Sequence, residues 1–184
     1  MKHVSIGRGV QNYTCDLSNS TAVPTAIGAI ATLYDASCIA ASFPDLLALL
    51  PGVSLQFNTP KALTPSNLAV SGHHWFDAAG TPIFDLNTPK KQLGIATCAK
   101  NASAPAPPNA VVGQSNAGFG AVPWLKLVTT SAATGNLQEV YRINTAGGKP
   151  PGTCVGAPAS FEVQYATEYV LALLFPEEPF TDSI

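Results

Sequence analysis

The segment from Phe161 to Phe175 alternates between two kinds of side chain, and it constrains the fold more than any other feature. Apolar and aromatic residues dominate one parity, whereas Glu162, Gln164 and Glu168 take the other. A period of two predicts a β-strand with one buried face. Beyond residue 169 both parities are apolar, so we expect burial on both sides there. The run exceeds the usual strand length of about 5–6 residues, which predicts a bend or two strands.

Shorter segments of the same kind lie between glycine, proline and asparagine breakers. The predicted strands cover 10–13, 27–35, 54–58 (the weakest), 72–77, 82–86, 92–100, 124–130 and 138–144. Residues 78–81 and 132–136 predict two hairpin connections, and 102–108 predicts an extended surface loop. The pattern indicates an all-β fold, either an antiparallel β-sandwich or a closed β-barrel of about 8–10 strands. We expect one domain over residues 1–184, with its core at about 8–175.

Only one segment predicts a helix, near residues 43–50. Ser42 is a suitable N-cap, and Pro44 with Asp45 suits the first turn. Pro51 followed by Gly52 is expected to end this helix.

Charge is sparse and excludes several kinds of partner. The chain has nine Lys and Arg, eleven Asp and Glu, and a net charge of −2. Because phosphate contacts need clustered basic residues, we expect no nucleic acid partner and no anionic membrane surface. The longest apolar run, Tyr169 to Phe175, is too short for a membrane span.

Four widely spaced cysteines, Cys15, Cys38, Cys98 and Cys154, favour disulfides over a zinc site or a redox motif. Four cysteines allow three pairings. The pairing with the shortest loops, Cys15–Cys38 with Cys98–Cys154, is weakly favoured.

Three glycosylation sequons add to the indication of an oxidising compartment, at Asn12, Asn19 and Asn101. No apolar signal region follows Met1. We therefore expect a mature secreted, extracellular protein whose signal peptide has been removed and to which Met1 was added. The alternative is a reduced cytosolic protein with four buried thiols.

No established catalytic motif is present. Residues 113–118 have the wrong spacing for a nucleophile elbow. Residues 118–123 begin like a dinucleotide fingerprint but end in proline before a predicted strand, where a helix is required. We therefore expect no cofactor and no dehydrogenase activity.

The stretch Gly72 to Asp77 combines two histidines, a tryptophan and an acid. On a strand His73 and His74 point to opposite faces, so they do not ligate one metal and we expect none. The favoured interpretation is one exposed and one hydrogen-bonded structural histidine. If the protein is an enzyme, the candidate catalytic residues are His73, His74, Asp77 and Glu168, with Asp35 and Asp85 as further acids.

Candidate ligand-binding residues come from the same stretch and from two other strands. Arg142, one of two arginines, lies within a predicted strand. It is interpreted either as a structural partner of Glu162, Glu168 or Asp35, or as a clamp for an anionic or sugar ligand. Aromatic platforms for sugars are the other option, and the full candidate set is Tyr34, His73, Trp75, Asp77 and Arg142, with Trp124 more typical of a core residue.

Six motifs in fixed order resemble a domain family of unknown function found in secreted fungal proteins and in bacteria. They are Gly9-Val10-Gln11-Asn12-Tyr13, Ala31-Thr32-Leu33-Tyr34-Asp35, Gly72-His73-His74-Trp75, Pro123-Trp124-Leu125, Arg142-Ile143-Asn144-Thr145-Ala146-Gly147-Gly148 and Tyr165-Ala166-Thr167-Glu168-Tyr169. The resemblance implies an extracellular β-rich domain from a fungus, and it supplies no catalytic residues. Some fungal members carry the label malate dehydrogenase, which this sequence contradicts because it lacks an alternating βαβ pattern.

Three functional hypotheses remain open. The leading one is a non-enzymatic extracellular protein that binds a glycan, a cell wall or a host cell-surface protein, with an immunomodulatory or effector role. The second is an extracellular hydrolase that uses a histidine–acid pair. The third is a structural or storage protein. Oligomeric state is not indicated by the sequence.

Overall fold

Strand β1 (His3–Thr14) pairs with β2 (Thr25–Asp35) along one edge and with β8 (Ser160–Ala172) along the other, so the sheet closes on itself. The computed structural model describes residues 3–57 and 69–173. The remaining strands are β3 (Val70–Phe76), β4 (Pro82–Asn87), β5 (Gln92–Ala104), β6 (Trp124–Thr129) and β7 (Glu139–Gly147). Each strand is antiparallel to the next, and together they form an eight-stranded closed barrel. The expected all-β fold is thereby confirmed, and of the two expected architectures the chain adopts the closed barrel.

The barrel interior is filled by one parity of the strands, as the alternating pattern predicts. The largest interior cluster consists of Leu33, Phe84, Leu86, Ala96, Cys98, Leu127, Leu137, Val140, Tyr169 and Leu171. Glycine makes room where β1 passes the largest of these rings. A Cβ atom on Gly7 would lie 2.5 Å from Cε2 of Tyr169, closer than packed atoms approach each other. Gly7 thus allows a tyrosine to cross the interior opposite β1.

Two helices lie on the outer surface of the barrel: α1 (Ser37–Ser42) and α2 (Pro44–Leu55). The helix expected at 43–50 is confirmed as α2, with Pro44 in its first turn. The expected N-cap and end are wrong, because Ser42 ends α1 and Pro51 lies inside α2. Burial of Leu47, Pro51 and Leu55 along one side of α2 explains the longer helix, since tertiary packing overrides local propensity. Neither helix is long and apolar enough to cross a membrane within the described residues.

Several strand boundaries differ from those expected. The weak strand at 54–58 is wrong, since Ser54 and Leu55 end α2 and residue 58 lies outside the described residues. Of the bend or two strands expected between Phe161 and Phe175, the division into two strands is wrong, because β8 runs as one strand from Ser160 to Ala172. Positions 174–175 of that prediction lie outside the described residues. The loop expected from residue 102 starts later, because β5 continues to Ala104.

Both predicted hairpin connections are confirmed. At the β3–β4 turn, the backbone N–H of Asp77 donates to the carbonyl oxygen of Thr81 at 3.1 Å. At the β6–β7 connection, the N–H of Thr129 donates to the carbonyl oxygen of Gln138 at 2.8 Å. Hairpin register is set locally, which is why short-range sequence signals located these turns.

The disulfide joins Cys15 to Cys154, across a sequence separation of 139 residues. The favoured pairing of Cys15 with Cys38 and Cys98 with Cys154 is therefore wrong. Barrel closure supplies the reason, because it places Thr14 opposite Ser160 and so brings the flanking loops together. Cys98 is a free thiol inside the barrel, and Cys38 is a free, exposed thiol on α1.

Candidate functional site

An open cavity of about 460 Å³ enters the barrel beside the β3–β4 turn; we call it the barrel pocket. It is lined by His74, Phe76, Gly80, Thr81, Pro82, Phe84, Cys98, Ala99, Lys100, Leu125, Leu127, Thr130, Arg142 and Tyr169. Strands β3 to β8 all contribute to the lining. Apolar and aromatic side chains make up the floor and walls, and a few polar groups converge on them. This combination is typical of small-molecule sites in proteins.

His74 forms part of the pocket wall and is held rigidly. Its ring stacks on Phe84 with centroids 4.1 Å apart, and it meets the edge of Tyr169 at 5.7 Å. Nδ1 lies 2.8 Å from the carbonyl oxygen of Ile83. Because a carbonyl only accepts, Nδ1 carries the proton and Nε2 is left as an acceptor. Burial lowers the pKa of His74 to about 4, so the imidazole is neutral at pH 7.

Among the described residues, two cationic side chains, Arg142 and Lys100, line the same pocket, and no carboxylate does. Nη2 of Arg142 donates to the carbonyl oxygen of Pro123 at 2.8 Å, and Nε donates to the same oxygen at 3.2 Å. None of the ion pairs between described residues includes Arg142. The expected pairing with Glu162, Glu168 or Asp35 is therefore wrong, and a carbonyl holds the guanidinium in place instead. The pocket thus has an uncompensated positive charge.

The charge of Arg142 acts on the polar groups inside the barrel. The hydroxyls of Tyr165 and Tyr169 lie 3.1 Å apart, and both residues are fully buried. Burial raises the pKa of each tyrosine, and the positive charge of Arg142 opposes that rise. The same charge adds to burial in lowering the pKa of His74. A bound anion would compensate the positive charge of Arg142.

Cys98 also lines the barrel pocket, but it is not suited to nucleophilic chemistry. Its side chain is buried in the apolar cluster, and burial raises the pKa of the thiol to about 12. Because the thiolate is the reactive form, this thiol is inert at neutral pH.

The other candidates from the sequence lie outside the barrel pocket. His73 is exposed on the outer surface, opposite Asp85 on β4, so the expected opposite orientation of the two histidines is confirmed. Asp77 is an exposed turn residue whose Oδ1 accepts from the backbone N–H groups of Ala79 and Thr81. These contacts lower the pKa of its carboxyl, the hydrogen bond from Thr81 acting most strongly. His74 itself contacts the carbonyl oxygen of Ile83, and no acid within residues 3–57 and 69–173 forms a hydrogen bond or ion pair with it.

The aromatic residues proposed for a sugar platform do not share one exposed face. Tyr34 is buried at 9% exposure, and burial raises the pKa of its hydroxyl. Trp75 is half-buried in β3 and pairs with Ile83 of β4. Trp124 begins β6 and is half-buried beside a second cavity, described below.

Glu168 is buried at 6% exposure on β8, and its parity is opposite to that of Tyr169 in the barrel interior. Its carboxylate Oε2 accepts from Nδ2 of Asn144 at 2.8 Å. Burial raises the pKa of Glu168, and the Asn144 hydrogen bond opposes that rise. The four candidate catalytic residues thus occupy separate positions.

Sequence reasoning missed a cluster of polar side chains around His3 at the other end of the barrel. Nε2 of His3 lies 2.9 Å from Oγ of Ser71, and Nδ1 lies 3.2 Å from Oγ of Ser37 and 3.8 Å from Oδ1 of Asp35. Both His3 and Ser71 are buried, so this cluster ties β1 to β3 and presents no open nucleophile. Ser37 and Ser71 lie 34 and 68 positions from His3 along the chain, so no local motif indicates these contacts. No group of three metal-ligating side chains occurs among the residues the structure describes.

The fold and the pocket define the class of protein: an eight-stranded antiparallel β-barrel with a cavity at one end that is large enough for a small ligand. A family model described as protein of unknown function (DUF3455) matches residues 1–172, and the chain belongs to this family. The resemblance seen in the motifs is thereby confirmed. No curated protein matches the chain, and no solved structure does.

Proposed function

We propose that this protein binds, without chemical conversion, a small molecule that has an apolar or aromatic body and one anionic group. The observation that carries the proposal is an apolar cavity lined by Arg142 and Lys100, with no carboxylate in its lining within the described part of the chain. The apolar body would pack on Phe84, Leu127 and the ring of His74, and the anion would lie at the cations. Eight-stranded barrels are wide enough to hold one such ligand.

Extracellular location forms part of the same proposal. The Cys15–Cys154 disulfide supports it, because such bonds persist in oxidising compartments. Two of the sequon asparagines, Asn19 and Asn101, are exposed and accessible to glycosylation, whereas Asn12 is half-buried in β1. A glycan-shift assay on protein secreted from a eukaryotic host tests this part, with Asn19→Gln and Asn101→Gln each expected to remove one glycan.

The binding experiment compares two ligands with the same phenylbutyl body, one ending in a carboxylate and the other in a neutral hydroxyl. Isothermal titration calorimetry with 4-phenylbutyrate and with 4-phenylbutan-1-ol measures what the anion contributes. We expect 4-phenylbutyrate to bind at least about tenfold more tightly, since a charge-assisted hydrogen bond in a partly buried site contributes that much.

Three variants test which side chains are responsible for the preference for the acid over the alcohol. Arg142→Gln removes the guanidinium and is expected to abolish the preference for the acid, whereas Arg142→Lys retains part of it. Lys100→Gln should weaken acid binding, and Lys90→Gln, at an exposed lysine outside the pocket, is the matched control. Equal affinity for acid and alcohol in the wild type would overturn the proposal, and so would a preference that survives Arg142→Gln.

A further inference from the structure

A second cavity, of about 330 Å³, lies on the outside of the barrel between α2 and β7; we call it the outer pocket. Its lining comes from α2 (Ala48, Leu49 and Gly52), from the loop before β6 (Pro107, Asn109, Ala110 and Val111), from Trp124, and from β7 (Asn144, Thr145 and Ala146). None of these residues is charged. The outer pocket therefore differs from the barrel pocket in the chemistry that it offers.

Trp124 supplies the aromatic face of the outer pocket. It is half-buried at the start of β6, and its ring lines the cavity. The indole Nε1 is buried and has no hydrogen-bond acceptor among the described residues. Because this atom is buried, the contribution of Trp124 to the outer pocket is its apolar ring surface. An aromatic surface of this kind is suited to a ligand with a flat hydrocarbon face.

Asn144 supplies a fixed amide at the same pocket. Its backbone has φ +48°, in the left-handed region, at a register irregularity of β7 between Ile143 and Ala146. Asparagine adopts this conformation more readily than most residues other than glycine. Nδ2 of Asn144 donates to Oε2 of Glu168, which orients the side chain. The amide oxygen is then left as an acceptor, because no described residue donates to it.

We propose that the outer pocket binds one neutral sugar residue. The pyranose face would stack on Trp124, and its hydroxyls would exchange hydrogen bonds with the side-chain amides of Asn144 and Asn109. The absence of charge in the lining favours a neutral sugar over an acidic one. Glu168 acts as a positioning residue for Asn144. This site is independent of the barrel pocket, since the two linings share no residue.

The test uses Trp124 as its own reporter. The chain has two tryptophans, so a Trp75→Phe background leaves Trp124 as the sole indole. This variant is titrated with the methyl glycosides of glucose, mannose, galactose and N-acetylglucosamine, and indole emission is recorded. We expect a saturable change in emission with at least one glycoside. No saturable change with any of the four, up to high millimolar concentration, would overturn the proposal.

Two pairs of variants assign the contact. Asn144→Gly removes the amide and tolerates the positive φ, and we expect it to weaken glycoside binding about tenfold. Asn136→Gly, at φ +57° and outside the pocket, is the matched control and should bind as the background does. Glu168→Ala should weaken binding, and Glu168→Gln, which still accepts from Nδ2, should restore it. Unchanged affinity in Asn144→Gly would place the sugar elsewhere and contradict the assignment.

Discussion

The guanidinium of Arg8 joins the barrel wall to the end of α2, where its Nε donates to the carbonyl oxygen of Ser54 at 3.2 Å. Nη2 donates to the carbonyl of Phe57 at 3.1 Å, and Nη1 donates to Oε1 of Gln164 at 2.6 Å. Arg8 is only 1% exposed, and burial lowers its pKa to about 10. It therefore remains charged at neutral pH and binds the negative end of the helix dipole.

Replacing Arg8 should destabilise the protein strongly. Arg8→Met keeps much of the volume but leaves several buried carbonyl groups without donors, so we expect a loss of about 3 kcal/mol in the free energy of unfolding. Arg8→Lys should recover only part of it, because one ammonium does not replace a planar fork of donors. Urea denaturation followed by circular dichroism measures the change. Lys90→Met, on the exposed surface, is the control and should lie within about 0.5 kcal/mol of the wild type; an equal effect in both variants would contradict this role.

The four cysteines should react with a thiol reagent in three steps, in an order set by their burial and by the disulfide. Cys38 is exposed and should react in the native protein, whereas Cys98 is buried with its pKa raised to about 12 and should react only after unfolding. Cys15 and Cys154 should react only after reduction. Ellman titration of non-reduced protein, native and then in guanidinium, measures this sequence. Four reactive thiols in unfolded, non-reduced protein would contradict the disulfide.

Removing the disulfide should lower the free energy of unfolding by more than most single substitutions do. The bond closes a long loop, with a separation of 139 residues. In the chain-entropy treatment a loop of this size is worth about 4–5 kcal/mol. The double variant Cys15→Ser with Cys154→Ser is compared by urea denaturation with Cys38→Ser, which changes one exposed thiol and should be neutral. A loss below about 1 kcal/mol in the double variant would contradict the expectation.

Stability should fall with acidification through the range set by His74. Its pKa is lowered from 6.5 to about 4 in the folded state by burial, so the unfolded chain binds the extra proton between these values. The free energy of unfolding therefore decreases as pH falls from about 6.5 to 4, by up to about 3 kcal/mol from this residue. Urea denaturation at several pH values measures the slope, and His74→Phe should remove the part due to His74. The same slope in both proteins would show that His74 does not titrate as described.

The strands were predictable because apolar and polar residues alternate within each strand, so the signal lies in neighbouring residues of the sequence. In β8, Tyr165, Tyr169 and Leu171 share one parity and belong to the apolar clusters, as the sequence pattern predicts. The longer course of α2 was not predictable from Pro51, because its position depends on packing against the barrel. The disulfide was missed for a similar reason, since loop length carries no information on where β1 meets β8.

The candidate site was predictable only in part. His74 and Arg142 were identified as chemically unusual residues, and both line the barrel pocket. Lys100 and Tyr169 gave no local signal, because their proximity to Arg142 depends on the register of β5 to β8. Arg8 carried no indication of burial either, since its acceptors lie about 50 and 156 positions away along the chain.

Ligand binding inside the barrel is tested most directly by the imidazole resonances of the histidines, recorded by NMR while 4-phenylbutyrate is added. His74 lines the barrel pocket, and its neighbour His73 is exposed on the opposite face of the same strand, so one spectrum contains both site and control. We predict that the ring signals of His74 shift saturably and those of His73 stay unchanged. Shifts at His73 with none at His74 would contradict binding within the barrel.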